Sequence, residues 1–253
     1  MRIVIIGAGG HGRVVLDILR NNHQFEVAGF LDTDARLHKS RVDGIEVLGD
    51  FSLITTLHEL AIEGAIVAIG DNSIRRRYAE LIEQAEVPLV SAIHPSANIA
   101  RTAHIGKNVV IAQGVNICPH AQVADSAICN TGSIVEHECR ISQGAHICPG
   151  VRLAGHVLVE PGAFVGIGAT VIQNLKIGEC AVVGAGAVVV GDVPAYTTVV
   201  GMPARVVSRT HLPGATGAIV PSADERNAHR LEQAMAYRPR RKAPGARQLA
   251  NQS

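Results

Sequence analysis

Residues 93–146 fall, without insertion, into nine blocks of six: IHPSAN IARTAH IGKNVV IAQGVN ICPHAQ VADSAI CNTGSI VEHECR ISQGAH. The count continues through Ile147, Leu153, Val159, Val165, Val171, Ile177, Val183 and Val189. Sixteen of seventeen consecutive sixth positions are therefore Ile, Val or Leu, and the exception is Cys129. Four residues after each comes a small or apolar one in nearly every case, as at Ala97, Ala103, Val109, Val115, Ala121 and Ala127. A helix would repeat every 3.6 residues and an ordinary strand every two. A period of six with one large and one small aliphatic fits a β-solenoid. Each hexad forms one face of a triangular coil, and stacked turns lie about 4.8 Å apart as parallel strands. Periodicity alone leaves the hand of the coil open.

The chain before the repeat alternates strand and helix signals. Strands are predicted at 2–6, 26–31, 65–69 and 87–93, and helices at 11–21, about 52–63 and 73–85. This is a small parallel α/β unit, half of a full dinucleotide fold. Between its first strand and first helix lies GAGGHG (7–12), in which Gly7, Gly9 and Gly12 match G-x-G-x-x-G, and Asp32 follows at the distance of a ribose-binding acid. The second half that would place a nicotinamide ring is missing, so NAD is not expected. Gly9, Gly10 and Gly12, with His11 among them, allow backbone N–H groups to approach a phosphate at a helix N-terminus. A tight structural turn explains the same letters. Asp32 and Asp34, then Gly70, Asp71 and Asn72, fall at carboxyl ends of parallel strands, where such sheets bind ligands. A diphosphate carrying a sugar fits there as well as NAD does. The run Arg75-Arg76-Arg77 reads as a solvated helix face, with Arg75 nearest the phosphate.

Composition narrows the class. The net charge of +1 gives no argument for nucleic acid or an anionic membrane. No stretch approaches the roughly 20 apolar residues of a membrane span, so a cytoplasmic protein without an integral membrane segment is expected. The five cysteines form no C-x-x-C pair and read as buried free thiols. Residues 208–253 carry a candidate helix (224–238) and a basic run, Arg238 to Arg247, with no assigned role. His23, His38, His58, His211 and His229 read as ordinary surface polarity.

Three stretches carry a family resemblance. Gly7-Ala8-Gly9-Gly10-His11-Gly12-Arg13, Asn130-Thr131-Gly132-Ser133-Ile134-Val135-Glu136-His137-Glu138-Cys139 and Val200-Gly201-Met202-Pro203-Ala204-Arg205, on the hexad background, resemble the hexapeptide-repeat sugar O-/N-acyltransferases. The resemblance spans residues 1 to about 207. It implies a Rossmann-like nucleotide-sugar-binding domain (1–92), a left-handed β-helix acetyltransferase domain (93–207) and a C-terminal extension (208–253). It further implies a homotrimer and acetyl-CoA as co-substrate, with no metal. His137 is the implied general base and Glu138 its partner; His146, Gly155 and Ala185 are the implied acetyl-CoA contacts. The coil count agrees at one point, since Gly155 lies one turn above His137. It also stacks His120, Glu138 and His156 in a column, expected to be an outward hydrogen-bonding ladder and not a metal site. The expected activity is N-acetylation of a nucleotide-linked amino sugar, such as a 4-amino-4,6-dideoxyhexose, for surface glycan synthesis. The alternatives are sugar O-acetylation of the sialic acid type and a non-catalytic nucleotide-sugar-binding scaffold.

Overall fold

The computed structural model describes residues 1–22 and 24–209. His23, His211, His229 and nearly all of the C-terminal extension lie outside those residues. Strand β1 (Arg2–Ile6) runs into helix α1 (Gly10–Arg20), followed by β2 (Glu26–Leu31), a hairpin of β3 (Arg41–Val42) and β4 (Ile45–Gly49), then β5 (Gly64–Val67) and α2 (Asn72–Gln84). The sheet order is β3-β4-β2-β1-β5, parallel except for the β3–β4 hairpin. Helix α1 buries Val15, Leu16, Ile18 and Leu19 along one stripe, and α2 buries Ile74, Tyr78, Leu81 and Ile82. Each stripe follows the three-to-four-residue spacing of an amphipathic helix.

Three sequence expectations need correction in this unit. The β3–β4 hairpin adds to the expected strands, turned by Asp43-Gly44 with φ of 47° and 84°, the positive values that a two-residue turn favours. Residues Phe51–Leu60 form a 3-10 helix instead of an α-helix over 52–63, and Ala61 ends it at φ 52°. The segment 87–93 is not one strand. Leu89 forms only a single bridge with Ala65, whereas Ala92–Ile93 pairs with Val110–Ile111 and already belongs to the coil.

From Ala92 onward the chain forms two-residue strands, each ending on a hexad position. They pair in parallel with the strand eighteen residues on, giving three faces and a left-handed parallel β-helix. One face stacks Ile99, Ile117, Val135, Leu153, Val171 and Val189. The second stacks Ile105, Val123, Ile141, Val159 and Ile177. The third stacks Ile93, Ile111, Cys129, Ile147, Val165 and Val183. The interior side chains from Val109 onward are almost fully buried, with Ala127, Ala145, Ala163 and Ala181 beside them. Each buried Val, Leu or Ile contributes roughly 1.5–3 kcal/mol of transfer free energy. The interior narrows toward the corners of the triangle, where the second element of the repeat is most often Ala and elsewhere mainly Val.

The α/β unit sits on the third face and its adjoining corner. Val67 N–H donates to the buried Asn108 Oδ1 at 2.7 Å, and Asn72 Nδ2 donates to the carbonyls of Gly162 and Ala163. Arg75 contradicts its expected place on a solvated face: it is 0% exposed. Its Nε donates to Ser126 O at 2.7 Å and its Nη2 to Gly144 O at 2.9 Å, both on the coil. Other bonds reach the carbonyls of Ile69 and Gly70 and the side chain of Asn72. A guanidinium that satisfies five donors in this way loses little by burial.

Candidate active site

The glycine loop and the ends of β1, β2 and β5 enclose a cavity of about 230 Å³, whose lining includes Gly9, Gly10, His11, Asp32, Thr33 and Gly70. The glycines differ in purpose. A Cβ on Gly12 would overlap the carbonyl oxygen of Gly7, so Gly12 is fixed by the close approach of α1 to the loop. Side chains at Gly9, Gly10 or Gly70 would meet nothing within 4 Å. They would instead project into open space at the cavity and the start of α1, whose free N–H groups suit an anion. Asp32 lines the cavity, but its carboxylate also braces the loop, accepting from Ala8 N–H at 2.7 Å and Asp34 N–H at 2.8 Å.

Asp34, Asp71 and Asn72 lie elsewhere. Asp34 caps the short helical turn 35–37 and pairs with Arg36 at 2.7 Å, which holds its carboxyl down at about 2. Asp71 caps α2, accepting from the N–H groups of Ser73 and Ile74. Asn72 is committed to the coil. The sequence reading missed Thr33, Phe51 and Ile69, which also line the cavity. Adjacency to Asp32 was the only signal for Thr33. Phe51 reaches the wall because it stacks on Tyr78 of α2 at 3.9 Å, a contact that no local pattern encodes.

His11 and His146 meet where the α/β unit joins the third face, with ring centroids 6.5 Å apart; His146 also packs edge-on against Phe164 at 5.2 Å. Burial, reinforced by the nearby Arg75 cation, lowers both imidazoles to about 4. Both are therefore neutral at pH 7. Unfolded histidines titrate near 6.5, so between about pH 6.5 and 4 the unfolded chain binds more protons. Stability should fall as pH drops through that window, by roughly 3 kcal/mol at most for each histidine. Thermal melts from pH 7 to 4.5 should show this decline, and His146→Phe should make it shallower. Equal slopes in the two proteins would refute the assignment.

His137 stands on the opposite side of the coil, at the corner between the first and second faces. Consecutive side chains of an extended strand diverge, yet His137 Nδ1 and Glu138 Oε2 are 3.0 Å apart. Glu138 makes this possible by adopting φ 60° at the corner. A non-glycine residue there costs about 1–2 kcal/mol. The His137 bond, followed by the charges of His156, His137 and His120, keeps the Glu138 carboxyl below its usual range. As an ionised acceptor it fixes the His137 proton on Nδ1 and leaves Nε2 free to take one. The imidazole lies directly over Gly155, where a Cβ would come within 2.5 Å of Cε1 and Nε2. The N–H groups of His156 and Ala154 are bound to His137 O and Val171 O, but Gly155 N–H has no acceptor among the described residues. A base beside a free N–H donor is the pairing that acyl transfer requires.

Ala185 is exposed at a different corner, between the third and first faces, and His146 lies on the third face. One chain thus brings His137, Glu138 and Gly155 together but keeps His146 and Ala185 apart from them. The described residues include one cluster with metal-ligand geometry, His137, Glu138 and His156. Its carboxylate lies within 3.0 Å of both imidazoles, whereas His120, the remaining member of the expected ladder, makes no hydrogen bond to it among the described residues.

Comparison with known proteins decides the family. Residues 2–82 match the PglD N-terminal domain. A GDP-perosamine N-acetyltransferase of Escherichia coli O157:H7 is 31% identical over 215 residues, covering 81% of this chain and 96% of that protein. The chain belongs to the hexapeptide-repeat sugar N-acetyltransferases. The acetyltransferase also resembles PerB from Caulobacter crescentus in its crystal complex with CoA and GDP-perosamine. That structure is 38% identical, with a TM-score of 0.79 over 82% of this chain and 98% of that one. The match to a UDP-N-acetylbacillosamine N-acetyltransferase of Bacillus subtilis, 34% identical, spans 43% of this chain and half of the relative. Acetyl-CoA is the family's co-substrate, and no described helix is long and apolar enough to cross a membrane.

Proposed function

We propose that this acetyltransferase transfers an acetyl group from acetyl-CoA to the amine of a nucleotide-linked amino sugar, with His137 as general base, in a site shared between subunits of a homotrimer. The GDP-perosamine relatives favour a 4-amino-4,6-dideoxyhexose on a nucleoside diphosphate. The diphosphate lies at Gly9, Gly10 and the start of α1. The amine attacks the thioester carbonyl as Nε2 of His137 takes its proton; a C–N bond forms, the C–S bond breaks, and the imidazolium returns the proton to the departing thiolate. Gly155 N–H faces the developing oxyanion. Within this division, residues 1–92 bind the sugar nucleotide and 93–207 carry out the transfer. Cysteines kept as free thiols fit a cytoplasmic enzyme.

The observation that carries the shared site is topological. The nucleotide cavity rides on the third face, and the base occupies the corner opposite that face. The cavity and the base of one chain thus face different sides of the coil, which supports a neighbour supplying the base.

Subunit complementation tests this. Gly10→Val fills the cavity without meeting the fold, and His137→Ala removes the base, so each homotrimer should be inactive. Co-assembled in equal amounts, about a quarter of the sites should combine an intact cavity with an intact base, as random mixing in a cyclic oligomer requires. Acetyl-CoA and GDP-perosamine with thiol detection provide the assay. Silence of the mixture beside an active wild type would overturn the shared site; inactivity of wild type toward every nucleotide amino sugar would overturn the substrate.

A further inference from the structure

The column His120, Glu138, His156 and Asn174 occupies one corner of four successive coils, and every member adopts a left-handed backbone with φ between 58° and 61°. Asn and His are among the residues that suit that conformation, whereas Glu is unusual there. Two of these residues converge on the base. His156 Nε2 lies 2.9 Å from Glu138 Oε2, the same oxygen that accepts from His137 Nδ1 at 3.0 Å. The His156 ring also meets the His137 ring edge to face, with centroids 5.4 Å apart and planes at 88°. Its backbone N–H donates to His137 O at 3.0 Å, which sets the two coils in register.

We infer that His156 is a positioning residue for the acetyl transfer: it clamps the Glu138 carboxylate and buttresses the His137 ring, so that the base stays aligned over Gly155. This rests on His137 being the base. The need for a clamp is physical. His137, Glu138 and His156 are each about half exposed, and a lone exposed Glu–His pair is weakly held by its own hydrogen bond. A carboxylate held by one hydrogen bond and flanked by a second imidazole at 2.9 Å has less rotamer freedom, and the perpendicular ring restricts the His137 imidazole. The other charged groups facing the carboxylate are His120, one coil below, and Arg140, which borders the same surface cavity. Neither makes a hydrogen bond to it among the described contacts.

Glycine tolerates the left-handed corner, so His156→Gly removes the clamp and keeps the coil. Losing this ion-pair contact and the ring packing should lower kcat about tenfold, with KM for both substrates within about twofold. His156→Gln retains a donor of similar reach and should recover most of that loss. A merely structural role would not show the decisive feature, which is dependence on Glu138. In a Glu138→Gln background, His156→Gly should cost less than about twofold more, because residues that act as a unit are non-additive. A further tenfold loss in that background, an unchanged kcat in His156→Gly alone, or a loss confined to KM would each overturn the inference. His137→Ala measured in parallel separates the two readings. If that variant is crippled while His156→Gly is not, the clamp alone is wrong; if it stays within about threefold of wild type, the base assignment fails first.

Discussion

Replacing His137 with alanine is expected to lower kcat by about 10²–10⁴-fold while the oligomer and acetyl-CoA binding survive. His137 is about half exposed and contributes nothing to the interior, which on either side of it is filled by Val135, Cys139 and Ile141. Truncation therefore leaves no core cavity, and the lost rate reports chemistry. Glu138→Gln should cost less, since the base remains and only its ionic support is removed. Steady-state kinetics by thiol release, with light scattering on the same samples, checks all of this. A variant within about threefold of wild type would show that another group takes the proton, or that the amine arrives already neutral.

Arg75→Met should lower stability by about 3–5 kcal/mol, because a buried network is broken and not merely a surface charge removed. The guanidinium provides the hydrogen bonds of the Ser126 and Gly144 carbonyls on the coil and of Ile69 and Gly70 beside the nucleotide cavity. Methionine fills the space but leaves those acceptors dry and unpaired. Burial lowers even this arginine to about 10, so it remains charged at pH 7. For a chain of this size the loss corresponds to roughly 10–15 °C in melting temperature. Arg75→Lys should fall between the two, with charge retained but without the planar fork that reaches both domains. KM for the nucleotide sugar should also rise in Arg75→Met, since the loop carrying Gly70 is no longer held to the coil. A melting temperature within 2 °C of wild type would refute this anchoring role.

Much of this molecule is written locally. Each hexad buries its aliphatic against the hexads eighteen residues away in both directions, so one short rule, repeated, fixes strand length, register and the coil interior. That is why the columns headed by Ile93, Ile99 and Ile105 could be counted in the sequence before they are seen in space. The same count places Gly155 over His137, and the glycine loop with Asp32 is legible because a strand–loop–helix turn draws on neighbouring residues only. Tertiary structure decided the rest. Arg75, Arg76 and Arg77 are equivalent letters on a helix, and only the docking of α2 on the coil buries the first. Asp34, Asp71 and Asn72 stand at strand ends like any ligand-binding residue, yet caps and an interdomain bond claim them. Phe51 enters the cavity wall through its stack on Tyr78. The convergence of His156 and His137 on one oxygen of Glu138 depends on left-handed corners, which hydropathy does not encode. The placement of the cavity and of His137 on opposite sides of the coil follows from the face on which the α/β unit rests. A repeat determines its own stacking because its partners are copies of itself, whereas the docking of an unlike domain depends on surfaces distant in the chain.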